Sequence, residues 1–330
     1  MVGSQDMSRR LFIVYAIVVF AFIAAAAGCS SVSNLPPIAS SGAAAIRESP
    51  QSLGKWSRNA PMPTTRYLLA ASGLGGILYA VGGTNGGGAE LTTLEAFDHH
   101  ANTWTTKAAM PTGRSELAVG SDAGTLYAVG GYNFILGGWL NAVEAYDPST
   151  DSWSARAPMH TARGGLAVGV VSGILYSVGG YHSVELSTLE AYDPATNTWT
   201  AKASMPTPRS FPAAGVVNGI LYAVGGYNSN DGGFLSTVEA YDPATDAWVA
   251  KAPMPTARCC LAAGVLNGIL YAIGGSNGGA FLSTVEAYDP LTNTWTTKKS
   301  MPTGLNDLGV GVVGAKLYAV RGTRNYAFTP

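Results

Sequence analysis

The chain has 330 residues, 47% hydrophobic and only 12% charged, with 42 glycines and a formal net charge of −1. So much glycine with so little charge favours turn-rich β structure over helix, and there is neither the basic excess of a nucleic-acid binder nor an acidic tail. Three cysteines do not make a disulfide framework.

The first segment stands apart. Arg9 and Arg10 precede an apolar run from Leu11 to Ala27, followed by small residues around Cys29. A basic start, an apolar stretch and a small-residue cleavage site are the parts of a secretory signal. Ala26, Ala27, Gly28 and Cys29 resemble the lipobox of bacterial lipoproteins, although the Leu common at its first position is Ala here. The resemblance implies cleavage before Cys29 and lipidation of that residue; an uncleaved signal anchor is the alternative. Either way the remaining chain is expected in the cell envelope, outside the cytoplasm and tied to the membrane. Ser30 after the Cys favours the outer membrane where there is one. Residues 30–52 are rich in Ser, Ala and Pro without apolar periodicity and read as a tether. Residues 53–330 are then the folded domain.

From residue 53 onward the sequence repeats itself. Trp56, Trp104, Trp153, Trp199, Trp248 and Trp295 recur about 48 residues apart, the spacing of propeller blades. Ten residues after each Trp lie Arg66, Arg114, Arg163, Arg209 and Arg258, with Leu305 in the sixth slot. Seventeen residues after each Arg comes the second Gly of a pair: Gly83, Gly131, Gly180, Gly226 and Gly275. An aromatic (Phe97, Tyr146, Tyr192, Tyr241, Tyr288) precedes each later Trp by seven residues. Length varies only between the Gly pair and the next Glu, where the separations are 12, 13, 10, 13 and 11. A fixed frame with one elastic loop is a scaffold that presents something at that loop.

Within the fifth unit, Leu261–Leu266 is a short apolar strand. Asn267-Gly268 is a two-residue hairpin turn, and "ILYAIGG" is the second strand. "STVEAYD" alternates as a third strand, "DPLTN" turns, and "TWTTK" is a fourth. The "LYAVGG", "VEAYDP", "W" and "MPTAR" elements resemble Kelch repeats over about residues 53–330, whereas the signature dipeptides of WD repeats are missing from the blade positions. The expected fold is all-β: a six-bladed Kelch β-propeller with four antiparallel strands per blade. The Trp56 segment is an orphan fourth strand and the C-terminal unit lacks one, so the ring is expected to close by pairing them.

Connections alternate between the two ends of an antiparallel blade, so the "MPTxR" segment and the elastic loop emerge on one face. Two roles for the repeated Arg stay open at this stage. Each Arg pairs with a third-strand Glu and holds its blade, or the five form a cationic funnel suited to carboxylates. The Kelch resemblance adds Tyr132, Asn133, Tyr181, His182, Tyr227 and Asn228, just after the Gly pairs, as ligand-pocket candidates. Trp139 lies outside the repeat frame, in a second-blade loop with Phe134, Ile135 and Leu136. That loop is either an apolar docking patch or folded over itself.

Catalytic chemistry is sparse. His99, His100, His160 and His182 show no metal-ligand spacing, and no cofactor motif is present. Glu90, Glu116, Glu185 and Asp231 are acids near the mouth outside the repeat frame, and Glu116 is a candidate general base without a visible partner. Cys259-Cys260 directly follow Arg258; they read as small filler, a vicinal disulfide being the other reading. The expected function is a non-catalytic module that binds a protein, an acidic small molecule or a glycan at an Arg-lined mouth, without nucleic acid or metal. The alternative is an enzyme similar to N-acetylneuraminate epimerases acting on an acidic sugar. A purely architectural role in the envelope is a third.

Overall fold

The computed structural model describes residues 52–330; the signal segment, Cys29 and nearly all of the tether lie outside the described residues. Leu53–Pro330 is one compact unit. It is built from six four-stranded antiparallel sheets arranged as propeller blades, with no helix among the described residues.

Blade 1 shows the pattern. Its strands are Ala70–Leu74, Ile77–Val81, Leu94–Asp98 and Thr103–Lys107, paired in chain order. The two middle strands are buried along almost their whole length, because both of their faces are covered by neighbouring blades. The outer strand is mostly exposed and contributes its Trp. The hairpin turns take the backbone that their residues favour, with Asn267 and Gly268 both at positive φ (53° and 76°).

No single central core exists. Apolar residues form six clusters, each between two adjacent blades. The innermost strand carries a glycine where the next blade presses on it. A Cβ on Gly169 would lie 2.3 Å from Leu221 Cδ1, and one on Gly215 2.2 Å from Leu270 Cδ1. The wedge narrows toward the axis, so a leucine of the next blade fills the space that a side chain there would need.

Blade 6 closes the ring. Gly309–Val313, Lys316–Arg321 and Arg324–Thr329 supply three strands, and Lys55–Arg58 from the start of the unit is the fourth, with Trp56 opposite Phe328. Blades 6 and 1 then pack through Val313, Tyr318, Val320, Leu78 and Phe97. The indole belt also closes here. Each of the six repeat Trp donates Nε1–H to a carbonyl in the connection that enters its own blade from the one before, as in Trp104 to Ala60 (3.0 Å) and Trp56 to Lys299 (2.8 Å).

Candidate functional site

The repeated Arg residues come first, because they were candidates for the mouth. Arg66, Arg114, Arg163, Arg209 and Arg258 are 0% exposed. Each meets the Glu of its own third strand: Arg66–Glu95 at 2.6 Å, Arg114–Glu144, Arg163–Glu190 and Arg209–Glu239 at 2.7 Å, and Arg258–Glu286 at 2.6 Å. Their remaining N–H groups donate largely to main-chain carbonyls; Arg66 Nη1, for example, reaches Gly82 O and Thr93 O. Burial pulls the Arg pKa values down while the charge of the paired Glu opposes it. The expectation of an Arg-lined mouth is therefore corrected. The guanidinium groups lie inside the blades, where a third-strand carboxylate and a set of carbonyls take most of their N–H groups, the Nε of Arg66, Arg163 and Arg258 being left without a partner.

The Arg segment still builds the mouth, through its backbone. The second Gly of each pair donates its N–H to the carbonyl of the next blade's Arg, or of Leu305 in the case of Gly275, as in Gly83 to Arg114 and Gly131 to Arg163, both 2.9 Å. The residue after Arg pairs with the residue after its own blade's Gly pair: Ser115 with Tyr132, Gly164 with Tyr181, Ser210 with Tyr227 and Cys259 with Ser276. The second residue after each Arg, or after Leu305, turns into the left-handed region. These are Leu68, Glu116, Gly165, Phe211, Cys260 and Asp307, with φ between 46° and 57°. Glu116 N–H donates to Leu68 O, Gly165 to Glu116, Phe211 to Gly165, Cys260 to Phe211 and Asp307 to Cys260, at 2.7 to 3.1 Å. A belt of main-chain hydrogen bonds thus runs from blade to blade around the axis, and these six residues line a cavity of about 90 Å³.

The cavity is acidic on one side. Glu116 is half-buried there, and burial, with the charges of Asp307 and Glu90, pushes its pKa up to about 7. Glu90 comes from the elastic loop of blade 1, and its Oε2 is buried without a hydrogen-bond partner. A methyl group on Gly164 would sit 2.9 Å from Glu116 Oε2 and 3.2 Å from Trp139 Cδ1, so the carboxyl and the indole edge converge over this glycine. Trp139 is the centre of an aromatic cluster, with ring centroids 5.9 Å from Tyr132 and 5.4 Å from both Tyr181 and His182. Burial followed by the Glu90 and Glu116 charges raises the Tyr132 hydroxyl pKa. Across the mouth, Arg321 stands at the degraded Gly-pair position of blade 6. Its guanidinium lies over the rings of Tyr67 (4.8 Å) and Phe281 (5.2 Å). The second and third strands of that blade are joined by a two-residue turn, so no elastic loop covers this side.

The structure brings Tyr132, Trp139, Tyr181 and His182 together beside Glu116. It assigns Asn133 and Asn228 to loop scaffolding. Asn133 Nδ2 donates to Gly113 O and its Oδ1 accepts from Leu136 N–H; Asn228 Nδ2 donates to Pro208 O and Asp231 Oδ2. Tyr227 packs on Phe234 of its own loop, at 5.4 Å. Phe134, Ile135 and Leu136 are exposed at the tip of the second-blade loop, while Trp139 is folded inward. His99 and His100 stack on each other in the turn of blade 1 between its third and fourth strands. Among the described residues no group of three or more His, Cys, Asp or Glu is arranged for a metal ion. The axial ring itself was missed by reading the sequence. Its signal was a position that differs in all six units, two residues after the repeated Arg or Leu305.

Six radial four-stranded sheets, each with its third-strand aromatic and outer Trp in register and five with a Gly pair, make this a Kelch-type β-propeller. The chain belongs to the Attractin/LZTR1 beta-propeller family, whose family model matches residues 49–285. Among solved structures it is similar to the one titled "Structure of YjhT", with a TM-score of 0.67 and 19% identity over 83% of this chain and 96% of that one. At that identity the likeness is one of fold. No curated protein matches the chain. With 1047 solved chains matching, the architecture alone does not select a function.

Proposed function

We propose that this propeller is a non-catalytic docking module whose axial mouth takes a basic side chain from a protein partner. The observation that carries the reading is that Glu116, which lines the cavity with Asp307, also meets Glu90 and the edge of the Trp139 aromatic cluster beside it. Carboxylates beside aromatic faces recognise ammonium and guanidinium groups by charge pairing and cation–π attraction. They repel the acidic small molecules and glycans that an Arg funnel would have drawn. Phe134, Ile135, Leu136 and Val184, all more than half exposed, add an apolar rim that would shield such a contact from water. In thermal-shift titrations, short peptides with Lys or Arg between apolar residues should raise the melting temperature, and Glu116→Gln should remove the effect. Stabilisation by N-acetylneuraminate or glucuronate, with none by basic peptides, would overturn the reading.

A second reading is kept for one observation. A carboxyl that titrates near neutral pH in a cavity suits general acid–base work, as an epimerase-like enzyme acting on a sugar would require. Faster anomer exchange of N-acetylneuraminate by NMR, lost in Glu116→Gln, would establish that activity in place of simple docking.

The proposed setting is the cell envelope, with residues 1–29 as a signal, a lipid on Cys29 and residues 30–52 as the tether; the basic start, apolar run and small residues before Cys29 support it. Incorporation of labelled palmitate should be lost in Cys29→Ser.

A further inference from the structure

Cys259 and Cys260 occupy a position whose backbone is set by the ring rather than by their sulfurs. Cys259 is bridged to Ser276 by both of its main-chain groups, and Cys260 N–H donates to Phe211 O. In an extended strand neighbouring side chains point to opposite faces. Here Cys260 is turned into the left-handed region (φ 57°), as are its five counterparts in the other blades. That turn folds its sulfur back onto its neighbour, and the two Sγ atoms stand 2.8 Å apart. This is closer than two unbonded sulfurs rest, and the closing movement to a disulfide length of roughly 2.05 Å is under about 1 Å. Cys259 is buried and Cys260, partly buried, lines the cavity, so the cavity is the route by which an oxidant reaches the pair. None of the equivalent pairs (Tyr67-Leu68, Ser115-Glu116, Gly164-Gly165, Ser210-Phe211, Asn306-Asp307) carries a thiol.

We propose that Cys259 and Cys260 are a redox-active vicinal dithiol that closes to a disulfide at the propeller mouth. The oxidant is a disulfide of the thiol-exchange class, such as the active-site disulfide of an envelope oxidoreductase or oxidised glutathione. Cys260 loses its proton and attacks one sulfur of that disulfide, releasing one thiolate and leaving a mixed disulfide on Cys260. Cys259 then loses its proton and displaces the second thiolate. Two S–H bonds are lost, one S–S bond forms in the protein, and the oxidant is reduced to two thiols. Asp307 bears on the rate. The neighbouring Cys259 sulfur, burial and the Asp307 charge together push the Cys260 thiol pKa up and hold it protonated. Closing the ring removes two thiol protons beside Asp307, whose Oδ2 accepts from the Asn306 amide at 2.6 Å, so the redox state changes the polarity of the cavity. The inference is independent of what the mouth binds.

The test is peptide mapping of the full chain. Trypsin cuts after Arg258 and next after Lys298, so both sulfurs fall in one peptide that begins at Cys259. After incubation with oxidised glutathione and trapping with iodoacetamide, this peptide should be lighter by two hydrogens and carry no alkyl group. Reduced protein should carry two, and should bind one phenylarsine oxide per pair. In Asp307→Asn the closing rate at neutral pH should rise about threefold or more, because the opposing charge is gone. Two alkyl groups after full equilibration, or a stable glutathione adduct on Cys260, would overturn the proposal.

Discussion

Leu305 and Tyr326 occupy, in blade 6, the slots that Arg and Glu hold in the other five blades. Tyr326 lies opposite Ala319 just as Glu95 lies opposite Ala80. Both residues are buried in the cluster between blades 5 and 6, and Thr303 Oγ1 stands 3.5 Å from the Tyr326 hydroxyl where its counterpart Thr64 donates to Glu95. One blade thus replaces an internal ion pair by an apolar pair of similar volume, a swap that well-packed interiors tolerate. Leu305→Arg alone buries a charge without its partner and should cost about 3–5 kcal/mol in urea unfolding. Adding Tyr326→Glu should recover most of that loss. Glu116 carries a separate prediction. Its folded pKa near 7 lies above the unfolded value of 4.5. Its contribution to stability is full below pH 4.5 and is lost as pH rises through 7, where the folded protein must hold a crowded carboxylate. Glu116→Gln should therefore flatten the pH dependence between 4.5 and 7 and raise the melting temperature at pH 8 by about 5 °C. The sequence held both readings of the Arg set, and only the depth of the guanidinium groups decides between them. Spacing fixes how far a residue stands from its neighbours along the chain, not how far it stands from water.

The strand Lys55–Arg58 is four residues long, yet the ring depends on it. It covers the edge of Arg324–Thr329 and places Trp56 against Phe328, with ring centroids 5.0 Å apart. Without it, blade 6 would expose an unpaired edge able to recruit another chain. Deleting residues 53–59 should give aggregates by size-exclusion chromatography, whereas Trp56→Ala should keep the ring monodisperse at a loss of about 2 kcal/mol or more in urea unfolding. The strands, their turns and this closure were legible because apolar alternation, Asn-Gly turns and a missing Trp are local signals. The inward folding of Trp139 was not. It depends on Tyr181 and His182 from the next blade, which no pattern within its own loop reveals.

At the scale of the whole molecule, stability and recognition use different parts of the same repeat. The Arg–Glu pairs, the Gly pairs and the Trp belt recur almost unchanged, while the mouth combines one acidic and aromatic flank with an Arg321 flank. Trp139→Ala should therefore weaken peptide docking at the mouth at least about tenfold, while lowering the melting temperature by no more than a few degrees, since Trp139 belongs to none of the six inter-blade clusters. The face of the mouth was readable from the alternation of strand connections, but its charge was not, because the recurring cations that should have set it are turned inside.

The belt of left-handed residues around the axis has a wider implication. Leu68, Glu116, Gly165, Phe211, Cys260 and Asp307 are six different amino acids on one repeated backbone, whose bonds use only N–H and C=O groups. Chemistry at this rim is uncoupled from architecture, much as letters on a combination lock turn without altering its case. Exchanging those that press on no neighbouring ring offers a route to receptors of new selectivity on the same wheel, whereas a Cβ on Gly165 would lie 2.9 Å from the Phe211 ring.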